Sequence, residues 1–347
     1  VAPEAKWIAA AIADQYGVIY DSYVHAAFQW LLAPGGDSNA APDVANNSWG
    51  GPSDQAKFME DIRILHQAGI ITVFSAGNGG PAKGSIQSPG SYPQTIAVGA
   101  SDQMDQPAWF SSRGPSPLTD EVKPLLLAPG TQILSAVPGS AYGPLNGTSM
   151  AAPHVSGVVA LLLATDPGLT LEQVREVLTN TAVPIAASHP NNSSGWGRLD
   201  AYGAVLSLLP HGRLLGSLSQ GAEPAAEVFI SVSGADGFEI TGRSDKQGRY
   251  AFSLPPGTYD ILFSAFGLQE KRVRGVIIKE GENSVVDQSL QQLPQGQISG
   301  RISSSSGQPL RAGIQIRDTP QNVKTGQDGR FSFSFAAGSY ELAVQAN

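Results

Sequence analysis

The sequence predicts an α/β unit over residues 1–209, a mostly parallel sheet with helices on both faces, followed by all-β sandwich repeats from about residue 211. Three observations carry this prediction. Up to Leu209, apolar strand-like runs alternate with segments of helical periodicity, as in a parallel sheet covered on both sides. Near Pro210 the helical periodicity stops, and short alternating runs punctuated by Gly and Pro begin. Finally, "DKQGRYAFSLPPGTYDI" at 245–261 returns as "GQDGRFSFSFAAGSYEL" at 326–342, a constant offset of 81 residues. Solenoid periods run ~20–50 residues, so this is a duplicated domain.

Taken in order, "WIAAAIAD" (7–14) reads as a buried strand. "YDSYVHAAFQWLLAPG" (20–35) reads as a helix stopped by Pro34 and Gly35. "DVANNSW" (43–49) is strand-like, and "PSDQAKFMEDIRILHQAG" (52–69) reads as a helix capped by Ser53 or Asp54 and ended by Gly69. "IITVFSAG" (70–77) and "TIAVGAS" (95–101) are further strands. "VVALLLA" (158–164) continues a helix that is apolar on nearly every side, hence central. In "LTLEQVREVLTNTA" (169–182), Thr170 and Gln173 form a capping box.

Within the duplication Gly248 corresponds to Gly329, Arg249 to Arg330, Tyr250 to Phe331, Phe252 to Phe333, Gly257 to Gly338 and Tyr259 to Tyr340. The expected domains are thus 1–209, a first β-sandwich copy at 211–292, and a second at 296–347 that is expected to be cut short at Asn347.

Composition narrows the functional classes. Apolar residues make up 41% of the 347, enough for real cores. Charged residues are 14%, the net charge is −8, and no Lys/Arg cluster exists, which argues against nucleic acid as a partner. There is no cysteine, so neither a disulfide framework nor a thiolate metal site can form. The longest apolar run, around Val155–Ala164, falls short of the ~20 residues that span a bilayer, and no membrane span is expected. A monomer is expected. Because the chain opens on Val without a signal peptide, Val1 is read as an internal cut.

The chemistry centres on "NGTSMAAPHVSG" (146–157). On its own, Thr148 or Ser149 could simply cap the helix that follows. The surroundings suit a nucleophile: Gly147, Ala151, Ala152 and Gly157 are small, and Pro153 is read as lying in the first turn, where a missing N–H costs nothing. The helix N-terminus offers free N–H groups and a positive dipole end beside the serine. "FSAGNGG" (74–80) supplies Asn78 at a strand end. Asn-Gly is a common turn pair, but an Asn amide can also donate to an oxyanion.

These two motifs, in this order, resemble those of the subtilisin-like serine proteases, the subtilases. The resemblance extends to "NNSWGGP" (46–52), "FSSRGPSP…VKPLLLAPG" (110–130) and "GWGRLDAYGAV" (195–205), nearly the whole first half. It implies a subtilisin-like sheet and a serine endopeptidase acting on polypeptides, with Ser149 as nucleophile and Asn78 in the oxyanion hole. Ser48, Trp49 and Gly50 would pair with substrate backbone, with Ser75, Ala76 and Gly77 beside them. Gln87 or Ser88 would line the base of the pocket for the residue before the cut. No cofactor is required by the resemblance. Members of the family often hold structural calcium, but no loop here can be named as its ligand set, and no metal-ligand pattern is present. An extracellular or cell-surface location is implied.

The family's Asp–His–Ser triad is incomplete here, because no segment resembles its aspartate or histidine motif; both are expected before Val1. None of the five histidines is assigned their role. His154, five residues beyond Ser149, stands about 140° round the helix and about 7.5 Å along it. His25 and His66 read as solvated, and His189 and His211 as loop residues. Two alternatives stand beside this reading. An α/β-hydrolase esterase would need G-x-S-x-G, where the sequence has Gly147-Thr-Ser-Met-Ala151 and no "HGGG" segment. An inactive scaffold or adhesive surface protein on the same fold has Ser149 and Asn78 against it. The β copies resemble carboxypeptidase regulatory-like (transthyretin-like) domains, for which a spacer or adhesion role is expected.

Overall fold

The computed structural model describes residues 1–317, 319 and 322–346. The chain divides into two compact units, Val1–Leu209 and Pro210–Asn347.

The first unit is built on a sheet of four parallel strands in sequential order: β1 (Val44–Asn47), β2 (Ile71–Ser75), β3 (Ile96–Ser101) and β4 (Leu126–Pro129). Every residue of β2 and β3 is buried, which explains their unbroken apolar runs. Alternation along β2 sends Ile71 and Val73 to one face and Phe74 to the other. On the first face lie α3 (Thr148–Thr165), α4 (Leu171–Thr181) and α5 (Ala201–Leu206). Here Val155, Val158, Val159 and Leu162 of α3 pack with Ile96 and Val98. Each such side chain contributes about 1.5–3 kcal/mol by leaving water. On the opposite face α1 (Asp21–Leu31) and α2 (Met59–Gln67) bring Val24, Phe28, Ile62 and Leu65 against Ala45, Phe74 and Tyr92. Long and apolar enough to cross a membrane by length alone, α3 is instead the core helix of this layer. A hairpin of β5 (Ile133–Val137) and β6 (Ala141–Leu145) precedes it. The predicted capping box opens α4, with both Thr170 and Gln173 bonds formed.

Four expectations are corrected. Residues 7–14 form no strand: they run as irregular chain with Trp7 85% exposed. Apolar composition makes a strand only where a neighbour pairs with it, and β1 pairs with β2 alone. The helix expected at 52–69 begins only at Met59. The turns Pro52–Gln55 and Ala56–Met59 occupy the preceding residues, and the helix starts where Phe58 becomes buried. The helix expected at 20–35 ends at Leu31, with a separate short turn at Pro34–Gly36. His66 is half-buried rather than solvated, sharing a 2.8 Å hydrogen bond with Thr72 of β2, and burial pushes its pKa down to about 4.

Among the described residues the second unit is all β apart from one short turn of helix, Ala235–Gly237. Its first copy packs β10 (Glu239–Arg243), β9 (Phe229–Ser233), β12 (Gly257–Ser264) and β13 (Lys271–Ile278) as one sheet. The second sheet is centred on β7 (Gly212–Gln220), flanked by β11 (Arg249–Leu254) and β14 (Asn283–Val285). Tyr250, Phe252, Tyr259 and Phe263 fill the space between them. In the second copy β16 (Gln295–Arg301) pairs β19 (Arg330–Ala336), while β17 (Ala312–Ile316) lies between β18 (Asn322–Lys324) and β20 (Leu342–Ala346).

Candidate active site

Ser149 lies in the first turn of α3, at the carboxyl-terminal ends of β1 and β2, where ligands gather in open α/β sheets. Neither Thr148 nor Ser149 is the helix cap. That position belongs to Gly147, whose φ of 153° is a conformation side chains rarely adopt and which has no side chain of its own to cap the first turn. A Cβ there would also stand 3.5 Å from Asn78 Nδ2. That distance is ordinary contact, so the backbone conformation, not lack of space, is what calls for glycine here.

Asn78 is held by its oxygen. Oδ1 accepts from the Thr148 N–H at 2.9 Å and from Thr148 Oγ1 at 3.0 Å. Thr148 Oγ1 in turn accepts from the Gly77 N–H at 3.2 Å. With Oδ1 occupied, the Nδ2 donor is the group left toward the Gly147 side. Thr148, fully buried, thus orients Asn78, where the sequence offers it only as a candidate helix cap.

Ser149 and Ser48 bond reciprocally. Ser149 Oγ donates to Ser48 O at 3.1 Å, and Ser48 Oγ donates to Ser149 O at 2.8 Å. Pro153 sits inside α3 rather than at its start. Having no N–H, it cannot bond the carbonyl four residues back, which is that of Ser149.

The expected substrate-binding residues fall into two groups. Ser48, Trp49 and Gly50 continue from β1, whose outer edge pairs with no other strand of the sheet. The Trp49 ring turns inward, against Phe28, Phe58 and Phe74, so only its backbone is left to the cleft. Ser75, Ala76 and Gly77 are buried, and two of their backbones are already engaged. Ala76 bonds Val98 and Gln87; Gly77 bonds Thr148 Oγ1 and Ser112. This second group forms a wall, not a pairing edge. Between the two groups lies the Gln87 side chain. A Cβ on Gly50 would meet Gln87 Cβ at 2.9 Å, and one on Gly77 would meet Cγ at 2.6 Å.

A loop at 86–95 underlies this region. Its Ser88 O accepts from the Gly51 N–H at 2.8 Å, and Ser88 Oγ donates to Ser53 O. Lys123, 1% exposed, donates to Tyr92 O and Thr95 O, each at 2.9 Å. Burial brings its pKa down to about 7, against the pull of Glu121. Its only trace in the sequence is a lysine inside the apolar "VKPLLLAP". A cleft of about 230 Å³ opens beside Trp49, Gly50 and Gly51, walled by Ile19, Val24 and Phe58 and reaching Ser88 and Tyr92.

No histidine is bonded to Ser149 among the described residues. His154 Nδ1 bonds Met150 O at 2.8 Å on its own helix. His25 pairs with Asp61 at 3.0 Å between α1 and α2. His66 is committed to Thr72. No group of three or more potential metal ligands occurs among the described residues.

Residues 1–197, which carry this serine at the start of a buried helix and the asparagine held beside it, match the Subtilase family; the chain belongs to it. Residues 212–291 match the carboxypeptidase regulatory-like domain. Bacillopeptidase F of Bacillus subtilis is 43% identical over 222 residues, 59% of this chain and 15% of that protein. Subtilisin amylosacchariticus of Bacillus subtilis subsp. amylosacchariticus is 38% identical over 190 residues, 54% of this chain and 46% of that protein. Subtilisin Savinase of Lederbergia lenta is 35% identical over 205 residues, covering 70% of its length. The chain therefore spans less than half of the first two relatives.

Proposed function

We propose that the protein is an extracellular serine endopeptidase whose nucleophile is Ser149. The observation that carries this is the placement of Ser149 in the first turn of α3 with Asn78 fixed beside it through Thr148. An extended peptide adds along Ser48–Gly50, by the strand addition an unpaired edge permits. Ser149 Oγ attacks the scissile carbonyl carbon, and its proton passes to a histidine supplied from outside these 347 residues, oriented by an aspartate. The carbonyl oxygen becomes an oxyanion, held by the Ser149 backbone N–H and Asn78 Nδ2. The imidazolium then protonates the leaving amine as the C–N bond breaks. Water, deprotonated by the same histidine, hydrolyses the acyl-enzyme and restores the serine.

The reciprocal bond to Ser48 supports an external base. Without one, the Ser149 proton rests on Ser48 O, a carbonyl too weak to remove it. The test is labelling with a fluorophosphonate, which reacts only with activated serines. The 347-residue chain and the longest product of its gene are treated side by side. Labelling at Ser149 is expected only in the longer product and is abolished by Ser149→Ala. Strong labelling of the 347 residues alone overturns the external base. A folded, unlabelled longer product overturns the protease reading in favour of an inactive scaffold.

A further inference from the structure

Pro153 withholds the N–H that Ser149 O would accept within α3, and a residue from another element supplies the missing donor. The orphaned carbonyl is Ser149 O, and the group that bonds it is Ser48 Oγ, at 2.8 Å. The Ser48 hydroxyl is itself held, since Asn46 Nδ2 donates to it at 3.0 Å. Asn46 Oδ1 accepts from Ser156 Oγ at 2.9 Å, and Ser156 is again on α3, two turns beyond Ser149. The chain Ser149–Ser48–Asn46–Ser156 thus leaves α3, crosses to the end of β1 and returns to the same helix.

We propose that Ser48 is a positioning residue for Ser149: its hydroxyl replaces the hydrogen bond that Pro153 denies the helix, and with Asn46 and Ser156 it fixes the height of the first turn of α3 against the strand edge. The proposal rests on the reading of Ser149 as nucleophile. The role is distinct from the Ser48 carbonyl's. The carbonyl faces the hydroxyl of Ser149, whereas the Ser48 side chain acts on the backbone that carries it. An orphaned, partly buried carbonyl is costly, and the helix start can relieve that by shifting toward water. A shift of a few tenths of an ångström leaves the fold intact but moves the nucleophile off its line of attack, where geometry is most demanding.

The logic yields a coupling that a simple packing role for Ser48 does not. Pro153→Ala restores the helix's own donor to Ser149 O and makes the Ser48 hydroxyl redundant. The experiment is a double-mutant cycle of Ser48→Ala and Pro153→Ala in the longest product of the gene. It is read by fluorophosphonate labelling rate and by melting temperature. Ser48→Ala alone is expected to slow labelling about tenfold, within the range set by an unmade bond to a buried group. Ser48→Thr, which keeps the hydroxyl, stays within about threefold of the parent, and Asn46→Ala falls between. In the Pro153→Ala background, Ser48→Ala costs less than about twofold. Equal costs in the two backgrounds overturn the proposal. So does a Ser48→Ala variant that melts lower by about 2–4 °C while labelling at the parent rate, because that is a structural role alone. If the parent takes no label, the nucleophile reading fails instead. The melting temperatures then decide: coupling between positions 48 and 153 supports the clamp, and additivity overturns it.

Discussion

In the first unit thirteen polar or charged side chains are buried, among them Ser88, Ser91, Thr95, Lys123 and Thr148; in the second, among the described residues, there are three, Ser231, Ser244 and Thr325. Both units have dense apolar cores, so the difference is not one of packing. Buried polar groups contribute little net stability and cost dearly when a partner is lost. They fix geometry instead. In the first unit several of them set backbone geometry beside Ser149: Thr148 holds Asn78, and Ser88, bonded to Ser91, lies in the loop whose backbone bonds Gly51. The second unit's join its own strands and turns, Ser244 bonding Ala225 and Val228 and Ser231 bonding Glu239. The contrast separates a unit whose buried polar groups reach the candidate site from one whose buried polar groups tie strand to strand.

The largest expected effect tests the second half of that contrast. Phe263 is fully buried between the two sheets of the first copy, its ring 5.5 Å from Tyr250. Phe263→Ala removes apolar burial and leaves a cavity, so the second unit should lose about 3–5 kcal/mol. Denaturation followed by hydrogen exchange should show amides of β9 and β12 losing protection while those of β2 and β3 keep theirs. A comparable loss in β2 and β3 would mean that the two cores are not energetically separate.

Next comes the polar side. Asn78→Asp retains an oxygen that accepts from Thr148 N and Oγ1, so the fold should hold. It removes the Nδ2 donor and places a negative charge where an oxyanion must form. In the longest product of the gene, peptide hydrolysis should fall about 10²–10³-fold in kcat, or about 2.7–4 kcal/mol, with KM and melting temperature little changed. A melting temperature that falls while kcat holds would show Asn78 to be a structural residue like the serines of the second unit.

The same contrast explains what the sequence revealed. The β character of the second unit was legible, because alternation and Gly/Pro punctuation mark short strands directly, and a repeat reports them twice. In the first unit the buried strands β2 and β3 and the capping box of α4 were legible from local pattern. Ser149 and Asn78 became candidates through the resemblance of their motifs, in that order, to a family's, since each alone reads as a cap or a turn. What was hidden depended on partners distant along the chain. Thr148 bonds a residue 70 positions away, and Ser48 one 101 positions away. Lys123 looks like an error in an apolar run until Tyr92 and Thr95 are seen to face it. Residues 7–14 failed for the converse reason: their pattern was right for a strand, but no neighbour pairs with them in the sheet.

The smallest effect concerns pH, and it too should arise in the first unit. His66 on α2 lies against β2, its Nε2 2.8 Å from Thr72 Oγ1, and burial lowers its pKa from an ordinary 6.5 to about 4. The folded state thus resists protonating a group that the unfolded chain protonates freely. Between pH 6.5 and 4 the unfolded state binds more protons, so stability is full above about 6.5 and falls as pH drops toward 4. The whole shift would be worth about 3 kcal/mol at 1.36 kcal/mol per unit. His66 is only half-buried, however, and solvent screening reduces the expected loss to about 1–2 kcal/mol. His66→Gln keeps a polar group within reach of Thr72 and cannot titrate, so its stability should be flat across that window once the carboxylates' common contribution is subtracted. The measurement is urea denaturation of the parent and His66→Gln at pH 7.0 and pH 4.5. The difference between the two proteins should narrow by about 1–2 kcal/mol on acidification. A difference that stays constant would place the His66 ring in water in both states, and the acid sensitivity of the first unit would then have to come from its carboxylates.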